Sequence, residues 1–401
     1  MENRRYRILF ILTQGVDPHA GGVQMSTCKL GRHFSERGYD VGIFSFAQEG
    51  HSDCKFGQLW TGVEPGGQSS GANCRALGDA LAEFKPQIVI NQMPYEHEIG
   101  KLLKSRKDFL LLGCLRNTLF SVKGNLATYV KRTAPAFLKV FCGSKLVRNG
   151  FLALHRRRHA RDLARILETY DYFVMFGPPN LEELEYFLPG FDRNKIRLIP
   201  NSIPQVAEST PQKEKRLLWL GRVAHEQKQA GLILEVWRRV CEKLPDWQLD
   251  VVGDGPDRSE IERHVTETGL PRVNFHGRQV PDEYYRRAAI FFMTSSFEGF
   301  PNTLVEAQSY AAIPIIFDSY PVARWILDDG QSGFLIEPFD VEAMADRIVH
   351  LATHPERARF AENALESARR FHIDQVGKKW QELFETELPI HVKEHEIEPA
   401  A

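Results

Sequence analysis

Four side chains in the second half of the chain have the types and spacing for chemistry on a phosphorylated, hydroxyl-rich molecule. Arg222 precedes Lys228 by six residues, and seven residues separate Glu298 from Glu306. A guanidinium offers a planar fork and an ammonium a point charge, so the two cations together can hold two phosphates. Fixed cations also stabilise the charge that develops on a departing nucleoside diphosphate. The two carboxylates are suited to accept hydrogen bonds from sugar or ribose hydroxyls.

The two acids lie in the stretch 291–318, FFMTSSFEGFPNTLVEAQSYAAIPIIFD. An apolar run over 289–293 predicts a buried strand, and the polar residues 294–301 predict a loop. A helix is expected to begin near Asn302, and the apolar run 313–317 predicts a second strand. The stretch is therefore a β-loop-α-β module, with Glu298 in the loop and Glu306 about one turn into the helix.

The start of that helix is a candidate anion site. Gly299 lets backbone approach a ligand closely, and Pro301 fits a helix start. Because the first N–H groups of a helix have no partner within it, we expect several of them to face the ligand. These are the backbone N–H groups of Phe300, Asn302, Thr303 and Leu304.

The two cations follow a predicted strand over 216–220. Gly221 and Arg222 open the loop beyond it, and Lys228 precedes a predicted helix over 232–244. An isolated Arg and Lys pair is most often solvated surface. The presence of two suitably spaced acids in the same half favours a functional interpretation of all four side chains.

These segments carry a resemblance to a known family. The pattern S-x-x-E-G-F-P-N-x-x-x-E-A around Glu298 and Glu306 closely resembles the signature of glycosyltransferase family 4, whose members use sugar nucleotides and have the two-domain GT-B fold. WLGRVAHEQK resembles the family's G-R-x-x-x-x-K pattern, and the turn over 253–256 resembles its V-G-x-G-P. Pro200 and Asn201 resemble its I-P-N-G segment, with Ser202 in place of the glycine. The resemblance is best over 218–371.

The resemblance implies an α/β protein of the GT-B fold, in which two Rossmann-like α/β/α domains face each other across a cleft and a C-terminal helix crosses back to the first domain. The expected organisation is an acceptor domain, a linker, a nucleotide-sugar donor domain, the returning helix and a disordered tail, over 1–204, 205–215, 216–372, 373–388 and 389–401.

The resemblance also implies roles for named residues. Arg222 and Lys228 would neutralise the donor diphosphate, Glu298 would hold hydroxyls of the transferred sugar, and Glu306 the ribose. A similar Gly-Gly pair in the family faces the donor phosphates, whereas a tight turn is the alternative for such a pair alone. The expected donor-binding set is Gly21, Gly22, Gly221, Gly299, Phe300, Pro301, Asn302, Thr303, Leu304, Glu306 and Arg278.

The first half begins with an apolar run over 7–12, typical of a central parallel strand. Gly21 and Gly22 end the following loop, a helical face runs from Val23 to Phe34, and a strand is predicted over 41–46. The loop has no Gly-x-Gly-x-x-Gly, which disfavours an NAD-dependent dehydrogenase. Residues 48–71 are rich in Gly and Ser and are predicted to be irregular.

His97 follows a predicted strand over 87–91 and is a candidate catalytic residue. It could hydrogen-bond the donor sugar or move a proton, or it could be a solvated residue at a helix start. Glu96 and Glu98 flank it, but neighbouring helical side chains point apart, so no metal site is expected there. Arg116 and Asn117 follow the strand predicted over 109–115 and could contact the acceptor.

Residues 131–165 are basic and contain a predicted helix over 155–167. This segment could lie on anionic lipid or grip a lipid-diphosphate acceptor, or it could be a salt-bridged surface helix. Residues 1–200 carry 28 Lys and Arg against 19 Asp and Glu, a net +9, and the remainder carries 23 against 33, a net −10. Nucleic acid is not an expected partner, because no aromatic interleaving or known module accompanies the basic residues.

Bulk properties fit a globular protein of two domains. The chain has 401 residues, 43% hydrophobic and 26% charged. Six scattered cysteines argue against zinc and against a disulfide framework. No run approaches the ~20 apolar residues of a membrane span, and no signal peptide is expected. We therefore expect a cytoplasmic protein, with possible peripheral contact at the inner face of the plasma membrane.

The predicted function is retaining transfer of a sugar from a UDP- or GDP-linked donor to a glycan or lipid-linked acceptor, in bacterial surface polysaccharide synthesis. No Asp-x-Asp motif is present, so metal-independent chemistry without a cofactor is expected. Two alternatives stay open. A GT-B epimerase would need an acid/base set that the sequence does not identify, and a non-catalytic scaffold would have no need for the four charged side chains.

Overall fold

The computed structural model describes residues 6–17, 21–47, 56–64, 67–106, 108–124, 145–204, 207 and 212–396. The chain divides into two compact units. The first comprises Met1–Arg116, Leu154–Pro204 and Ile373–Ala401, and the second comprises Asn117–Ala153 and Gln205–His372. Each unit is built on one parallel sheet.

The first unit contains a seven-stranded sheet in the order β3-β2-β1-β4-β5-β6-β7, with every described pairing parallel. Its central strands are buried and apolar, as expected of strands covered on both faces. The strands are β1 (Arg7–Leu12), β2 (Asp40–Ser45), β3 (Gln58–Thr61), β4 (Ile88–Asn91), β5 (Leu110–Cys114), β6 (Tyr172–Met175) and β7 (Ile196–Leu198).

Helices connect these strands, as parallel neighbours require. In chain order they are α1 (Gly22–Glu36), α2 (Gly71–Phe84), α3 (His97–Lys104), α4 (Ser121–Gly124), α5 (Lys145–Thr169) and α6 (Pro179–Phe187), and Arg193–Lys195 forms a 3₁₀ turn.

The C-terminal helix α15 (Ile373–Glu396) packs on the first unit. The rings of Phe34 on α1 and Phe384 on α15 lie 5.6 Å apart. Arg37 Nη2 donates to Asp374 Oδ1 at 2.5 Å, and Tyr172 donates to Glu387. This helix therefore completes the hydrophobic core of the first unit.

The second unit contains a six-stranded parallel sheet in the order β10-β9-β8-β11-β12-β13. Counted within the unit, this is the order 3-2-1-4-5-6, so the direction of winding reverses between β8 and β11. The strands are β8 (Glu214–Leu220), β9 (Gln248–Val252), β10 (Val273–Gly277), β11 (Ala288–Met293), β12 (Ile313–Phe317) and β13 (Phe334–Ile336).

Helices lie between the strands of this sheet, and Trp219, Trp237 and Phe292 are buried in its core. The helices are α7 (His225–Lys228), α8 (Leu232–Val240), α9 (Arg258–Thr268), α10 (Asp282–Arg287), α11 (Asn302–Ser309), α12 (Pro321–Ile326), α13 (Val341–Thr353) and α14 (Arg357–Ala368), followed by a 3₁₀ turn, Arg369–Phe371.

The prediction of two parallel-sheet α/β units is confirmed, and several local predictions are wrong. β3 lies inside the stretch predicted to be irregular, where Trp60 packs its ring 5.3 Å from that of Phe84. β8 begins at Glu214, two residues inside the predicted linker. Helix α15 continues to Glu396, beyond the predicted start of a disordered tail. Among the described residues, no helix is both long and apolar enough to cross a membrane.

Candidate functional site

The loops that carry three of the four predicted charges leave neighbouring strands of the second sheet. β8 and β11 pair directly, with Leu217 opposite Ile290. Open α/β sheets bind ligands at the carboxyl ends of the strands where the winding reverses. The loop after β8 carries Arg222 and Lys228, and the loop after β11 carries Glu298, so these residues occupy the place where that rule expects a ligand.

Lys228 and Glu298 are in contact. Lys228 Nζ donates to Glu298 Oε1 at 2.6 Å, and the side chains are 16% and 8% exposed. Gln227 Nε2 donates to the other oxygen, Glu298 Oε2, at 3.2 Å. An ammonium has three N–H donors and each carboxylate oxygen can accept two hydrogen bonds. Both groups therefore keep capacity for a ligand while they hold each other.

Backbone and side-chain hydrogen bonds fix α7 to the loop after β11. Ser296 N–H donates to Gln227 O at 2.8 Å, and Thr294 Oγ1 donates to Lys228 O at 2.7 Å. Trp219 Nε1, on β8, in turn donates to Thr294 Oγ1 at 3.0 Å. The position of Lys228 is thus determined by packing on the sheet and not by its charge alone.

Two glycines let the turn after β9 pack directly on the loop after β8. A Cβ on Gly253, which has φ +137°, would lie 1.9 Å from Gly221 O, and one on Gly255 would lie 2.2 Å from Val223 O. Val223 N–H also donates to Asp254 O at 3.0 Å. The VGDGP turn therefore supports the backbone on both sides of Arg222.

Arg222 is exposed, and no described residue forms an ion pair or hydrogen bond with its side chain. A guanidinium in this condition is available to an anion. The aliphatic part of Lys228 lies next to Gly221, since a Cβ there would be 3.5 Å from Lys228 Cε.

Glu306 is buried on α11 and accepts a hydrogen bond from Tyr285 OH at 3.1 Å. Burial, followed by the charge of Glu306, raises the pKa of Tyr285 well above its ordinary value, so the phenol keeps its proton. The ring of Tyr285 stacks on that of Tyr310 at 6.0 Å. This fixes the orientation of the carboxylate.

The expectation that the N–H groups at the start of α11 face a ligand is wrong for two of them. Asn302 N–H donates to Phe300 O at 2.9 Å, and Leu304 N–H donates to Pro301 O at 3.0 Å. Pro301 has ψ 79° and precedes the helix, so the chain tightens there and uses these donors locally. The hydroxyl of Thr303 is shielded from solvent, and no described residue accepts or donates to it.

The remaining predicted donor-binding residues lie at turns. Gly299 is buried directly after Glu298. Arg278 is exposed and follows Gly277, whose φ of +66° ends β10. Gly21 is extended and precedes α1, which begins at Gly22 without a side-chain cap. Residues 18–20, just before this pair, lie outside the described residues.

His97 is the first residue of α3 and is partnered by an acid. His97 Nε2 and Asp162 Oδ1 are 3.0 Å apart, with the side chains 30% and 35% exposed. This pair lies in the first unit together with Tyr95, whose ring stacks on that of His159 at 5.5 Å. A carboxylate that orients an imidazole is compatible with proton transfer and equally with a structural role.

Part of the basic segment, residues 131–144, lies outside the described residues. Helix α5 starts at Lys145, ten residues before its predicted start. Arg156 lies over the ring of Tyr186 at 4.6 Å, and Arg165 approaches Asp162 at 3.9 Å. Arg156 thus has an aromatic neighbour and Arg165 an acidic one, as the surface-helix alternative expects, and the lipid alternative is not tested by these contacts.

Two residues that the sequence analysis passed over contact the site. Gln227 immediately precedes Lys228 within the quoted motif, so its place in the sequence could have indicated that it contacts the site. Tyr285 lies 21 residues before Glu306, and nothing in that spacing indicates a contact.

His225, Asp257 and Glu260 form the one group in the described part of the chain that could hold a metal ion, with ligand atoms within 4.8 Å of one another.

Comparisons with known proteins give a family model and similar sequences. Residues 204–367 match the family model described as glycosyl transferases group 1. The amylovoran biosynthesis glycosyltransferase AmsD of Erwinia amylovora is 23% identical over 385 residues, which cover 94% of this chain and 99% of the relative. A lipopolysaccharide 1,6-galactosyltransferase of Salmonella typhimurium is 30% identical over 210 residues, covering 50% of this chain and 55% of the relative.

Similarity to solved structures extends over nearly the whole chain. Anabaena HepE in complex with UDP-glucose has a TM-score of 0.71 and 14% identity, covering 95% of this chain and 100% of HepE. The fold is therefore that of the GT-B glycosyltransferases. Together with the family model, the matches support a glycosyltransferase of group 1 with polysaccharide-related relatives.

Proposed function

We propose that the chain is a retaining glycosyltransferase of family 4 that transfers a sugar from a UDP- or GDP-linked donor to a hydroxyl of a glycan or lipid-linked acceptor. The observation that supports this most is the contact of Lys228 with Glu298 at 2.6 Å. The loop after β8 that carries Lys228 also carries Arg222, whose side chain has no partner among the described residues. This arrangement offers cations to a diphosphate and a carboxylate to sugar hydroxyls at one place.

In this proposal the second unit binds the donor. Arg222 and the free donors of Lys228 stabilise the leaving diphosphate, Glu298 accepts hydrogen bonds from the transferred sugar, and Glu306, oriented by Tyr285, accepts them from the ribose. Gly221 follows β8, and Gly299 and Pro301, both buried, lie in the loop after β11, the strand that pairs with β8. Thr303 and Arg278 are the further side chains assigned to the nucleotide.

The departing phosphate is proposed to deprotonate the acceptor hydroxyl during attack on the same face of the sugar, so the anomeric configuration is retained. No divalent ion or cofactor takes part, because Arg222 and Lys228 supply the positive charge. His97, Gly21 and Gly22 are assigned to the first unit's share of the site, with His97 donating to the sugar or moving a proton. These assignments follow the family resemblance and are open to mutation.

The biological setting proposed is synthesis of a bacterial surface polysaccharide such as lipopolysaccharide, capsule or exopolysaccharide. It is supported by the amylovoran and lipopolysaccharide enzymes among the relatives. The protein is proposed to act in the cytoplasm, with the basic residues 131–165 in contact with anionic lipid at the inner face of the membrane.

A donor panel tests the proposed activity. UDP- and GDP-linked sugars are screened first for an increase in melting temperature, and the hits are then incubated with lipid-linked and free oligosaccharide acceptors while released nucleoside diphosphate is measured. One donor class is expected to stabilise the protein and to release its diphosphate only when acceptor is present. NMR of the product reports whether the configuration is retained. Release of an epimerised sugar without acceptor, or no response to any donor, would contradict the proposal.

A further inference from the structure

Lys213 lies in the predicted linker, directly before β8, and it is half-buried. Its ammonium donates to three backbone carbonyls at once. Lys213 Nζ lies 2.6 Å from Tyr310 O and 3.0 Å from Tyr285 O, and a third bond, at 3.2 Å, goes to Arg286 O. These bonds use every N–H donor that an ammonium has. The side chain is therefore held in one position, unlike the solvated side chains expected of a linker.

The three carbonyls belong to the C-terminal ends of two helices. Tyr285 and Arg286 are in the last turn of α10, and Tyr310 follows the last residue of α11. The last carbonyls of a helix have no partner within it and carry partial negative charge, so an ammonium placed there is favourable. Lys213 therefore caps both helices and holds their ends together.

A second contact from the predicted linker reaches α11. Ala207 N–H donates to Ser309 O at 2.9 Å, and the Ser309 hydroxyl donates to Glu306 O at 2.7 Å. The predicted linker thus contacts the C-terminal end of α11 at two successive residues, Ser309 and Tyr310. The end of the helix that carries Glu306 is fixed by residues outside the loops of the candidate site.

The two capped helices carry the side chains assigned to the ribose. Tyr285, on α10, donates to Glu306 Oε2, on α11, at 3.1 Å. The rings of Tyr285 and Tyr310 are buried and stacked, with centroids 6.0 Å apart and planes 13° from parallel. Lys213 binds the backbone carbonyls of both tyrosines, so its removal leaves the ends of α10 and α11 without their shared partner.

No described acid forms an ion pair with Lys213. Burial, followed by the charge of Arg286, lowers the pKa of Lys213 to about 7. The acids on the neighbouring elements have other partners, since Asp282 accepts from the Tyr310 hydroxyl and Glu214 pairs with two arginines. A neutral amine has two N–H donors for three carbonyls, so the cap is complete only while Lys213 is protonated.

We propose that Lys213 is a positioning residue of the donor site, which holds the ends of α10 and α11 so that Tyr285 donates to Glu306 and Glu306 binds the ribose. This inference rests on the proposed function, since it assigns Glu306 to the ribose of the nucleotide. Lys213 acts through Tyr285 and needs no contact with the substrate. Nucleotide affinity therefore depends on a residue outside the loops that bind the donor.

Calorimetric titration of the full chain with UDP and with GDP tests the inference, using the nucleotide that binds wild type. Lys213→Met removes the ammonium and keeps an unbranched side chain, and it should bind that nucleotide roughly tenfold more weakly. Lys215→Met is the matched control. It removes an exposed lysine on β8 that pairs with Asp246 at 3.1 Å, and it should bind the nucleotide as wild type does.

A double variant separates positioning from general destabilisation. If Lys213 acts through Tyr285, Lys213→Met with Tyr285→Phe should bind the nucleotide no more weakly than the weaker single variant. Losses that add would mean that the two residues act independently.

A pH series needs no substitution at Lys213. From pH 6 to 8 the affinity of wild type should fall towards that of Tyr285→Phe, because Lys213 loses its proton as pH rises through about 7. Titration of the nucleotide's phosphate affects both proteins alike, so the ratio of the two affinities is compared at each pH.

Three results would overturn the inference: unchanged affinity in Lys213→Met, additive losses in the double variant, or a ratio that stays constant with pH. The proposed function is judged separately. If neither UDP nor GDP binds wild type, the donor assignment fails, and denaturant unfolding of wild type, the two single variants and the double variant still measures the coupling of Lys213 with Tyr285. A coupling of zero there would end the positioning role as well.

Discussion

The two units differ in whether their buried charged and polar side chains have partners among the described residues. In the second unit, Lys228 and Glu298 neutralise each other at 2.6 Å, and Gln227 satisfies the second carboxylate oxygen. In the first unit, Arg116 has no acid among the described residues and Trp380 no acceptor. The second unit can therefore hold its site in place before a ligand arrives. Among the described residues of the first unit, the Arg116 Nε and the Trp380 indole N–H are buried without an acceptor.

The sequence reflects the same difference. The family model covers residues 204–367, which contain the two acids, the two cations and the glycines of the quoted motifs. The first unit shares the fold but few of the motif residues. Under the proposed function, the part of the chain that matches the family model is the part assigned to the donor.

The largest expected effect concerns Arg222, the exposed cation without a partner. Arg222→Ala should lower kcat by ~10²-fold or more, the scale lost with one preorganised charge-stabilising group. The fold should be unchanged, because no described residue depends on this side chain. Steady-state kinetics with the best donor gives the measurement, and Arg238→Ala, at an exposed arginine of α8, is the control. Turnover like that of wild type would remove Arg222 from the reaction.

The next effect is a loss of stability when Lys228, a charge with a buried partner, is removed. Lys228→Ala should destabilise the chain by roughly 3–5 kcal/mol, because it leaves Glu298 buried without its counter-ion. The double variant Lys228→Met with Glu298→Gln should recover most of the stability and none of the activity. Denaturant unfolding measures both variants. A single variant as stable as wild type would show that the pair is not structurally coupled.

A smaller effect is expected at Tyr285, which donates to Glu306. Tyr285→Phe removes one hydrogen bond to a carboxylate, so UDP should bind roughly tenfold more weakly. The adjacent Tyr284→Phe is the matched control, since its ring contacts His276 and its hydroxyl has no hydrogen bond to any described residue. Calorimetric titration with UDP distinguishes the two. Equal affinities would mean that Glu306 does not need Tyr285 to keep its orientation.

The smallest effect is a pH dependence of the free energy of unfolding, caused by His159 in the first unit. Burial, followed by the charge of His155, lowers the pKa of His159 to about 4, from an ordinary value of 6.5. Between these values the unfolded chain binds a proton that the folded chain does not, so the free energy of unfolding rises with pH across this window. The contribution is at most about 1.4 kcal/mol per pH unit, the value for one proton.

His159→Phe should flatten that slope, whereas His264→Phe, at an exposed histidine of α9, should not. Urea unfolding at several pH values between 4 and 7 measures the slopes. An unchanged slope in His159→Phe would mean that another group dominates the acid sensitivity.

The fold could be predicted because its strands are short apolar runs and its helices end at recognisable residues. β1 and β12 have the predicted bounds, and Gly38, with φ +85°, follows α1. β3 could not be predicted, since its residues are half exposed at the sheet edge and depend on β2 for pairing. For such an edge strand, the β-propensity of the individual residues says little about whether a strand forms.

Some features of the candidate site could likewise be predicted from the sequence, and others could not. Spacing alone selected Lys228 and Glu298, but their contact depends on the pairing of β8 with β11, which brings together residues 70 apart in the chain. The hydrogen bonds of Asn302 and Leu304 follow from the conformation at Pro301, which the sequence does not determine. The isolation of Arg116 is visible only when its neighbours are known.

A structure with a nucleoside-diphosphate sugar bound gives the most direct test of the central claim. Diphosphate oxygens are expected within hydrogen-bond distance of Lys228 Nζ and the Arg222 guanidinium, with sugar hydroxyls on Glu298 and ribose hydroxyls on Glu306. A donor bound away from the loops that follow β8 and β11, with the contact between Lys228 and Glu298 untouched, would contradict it.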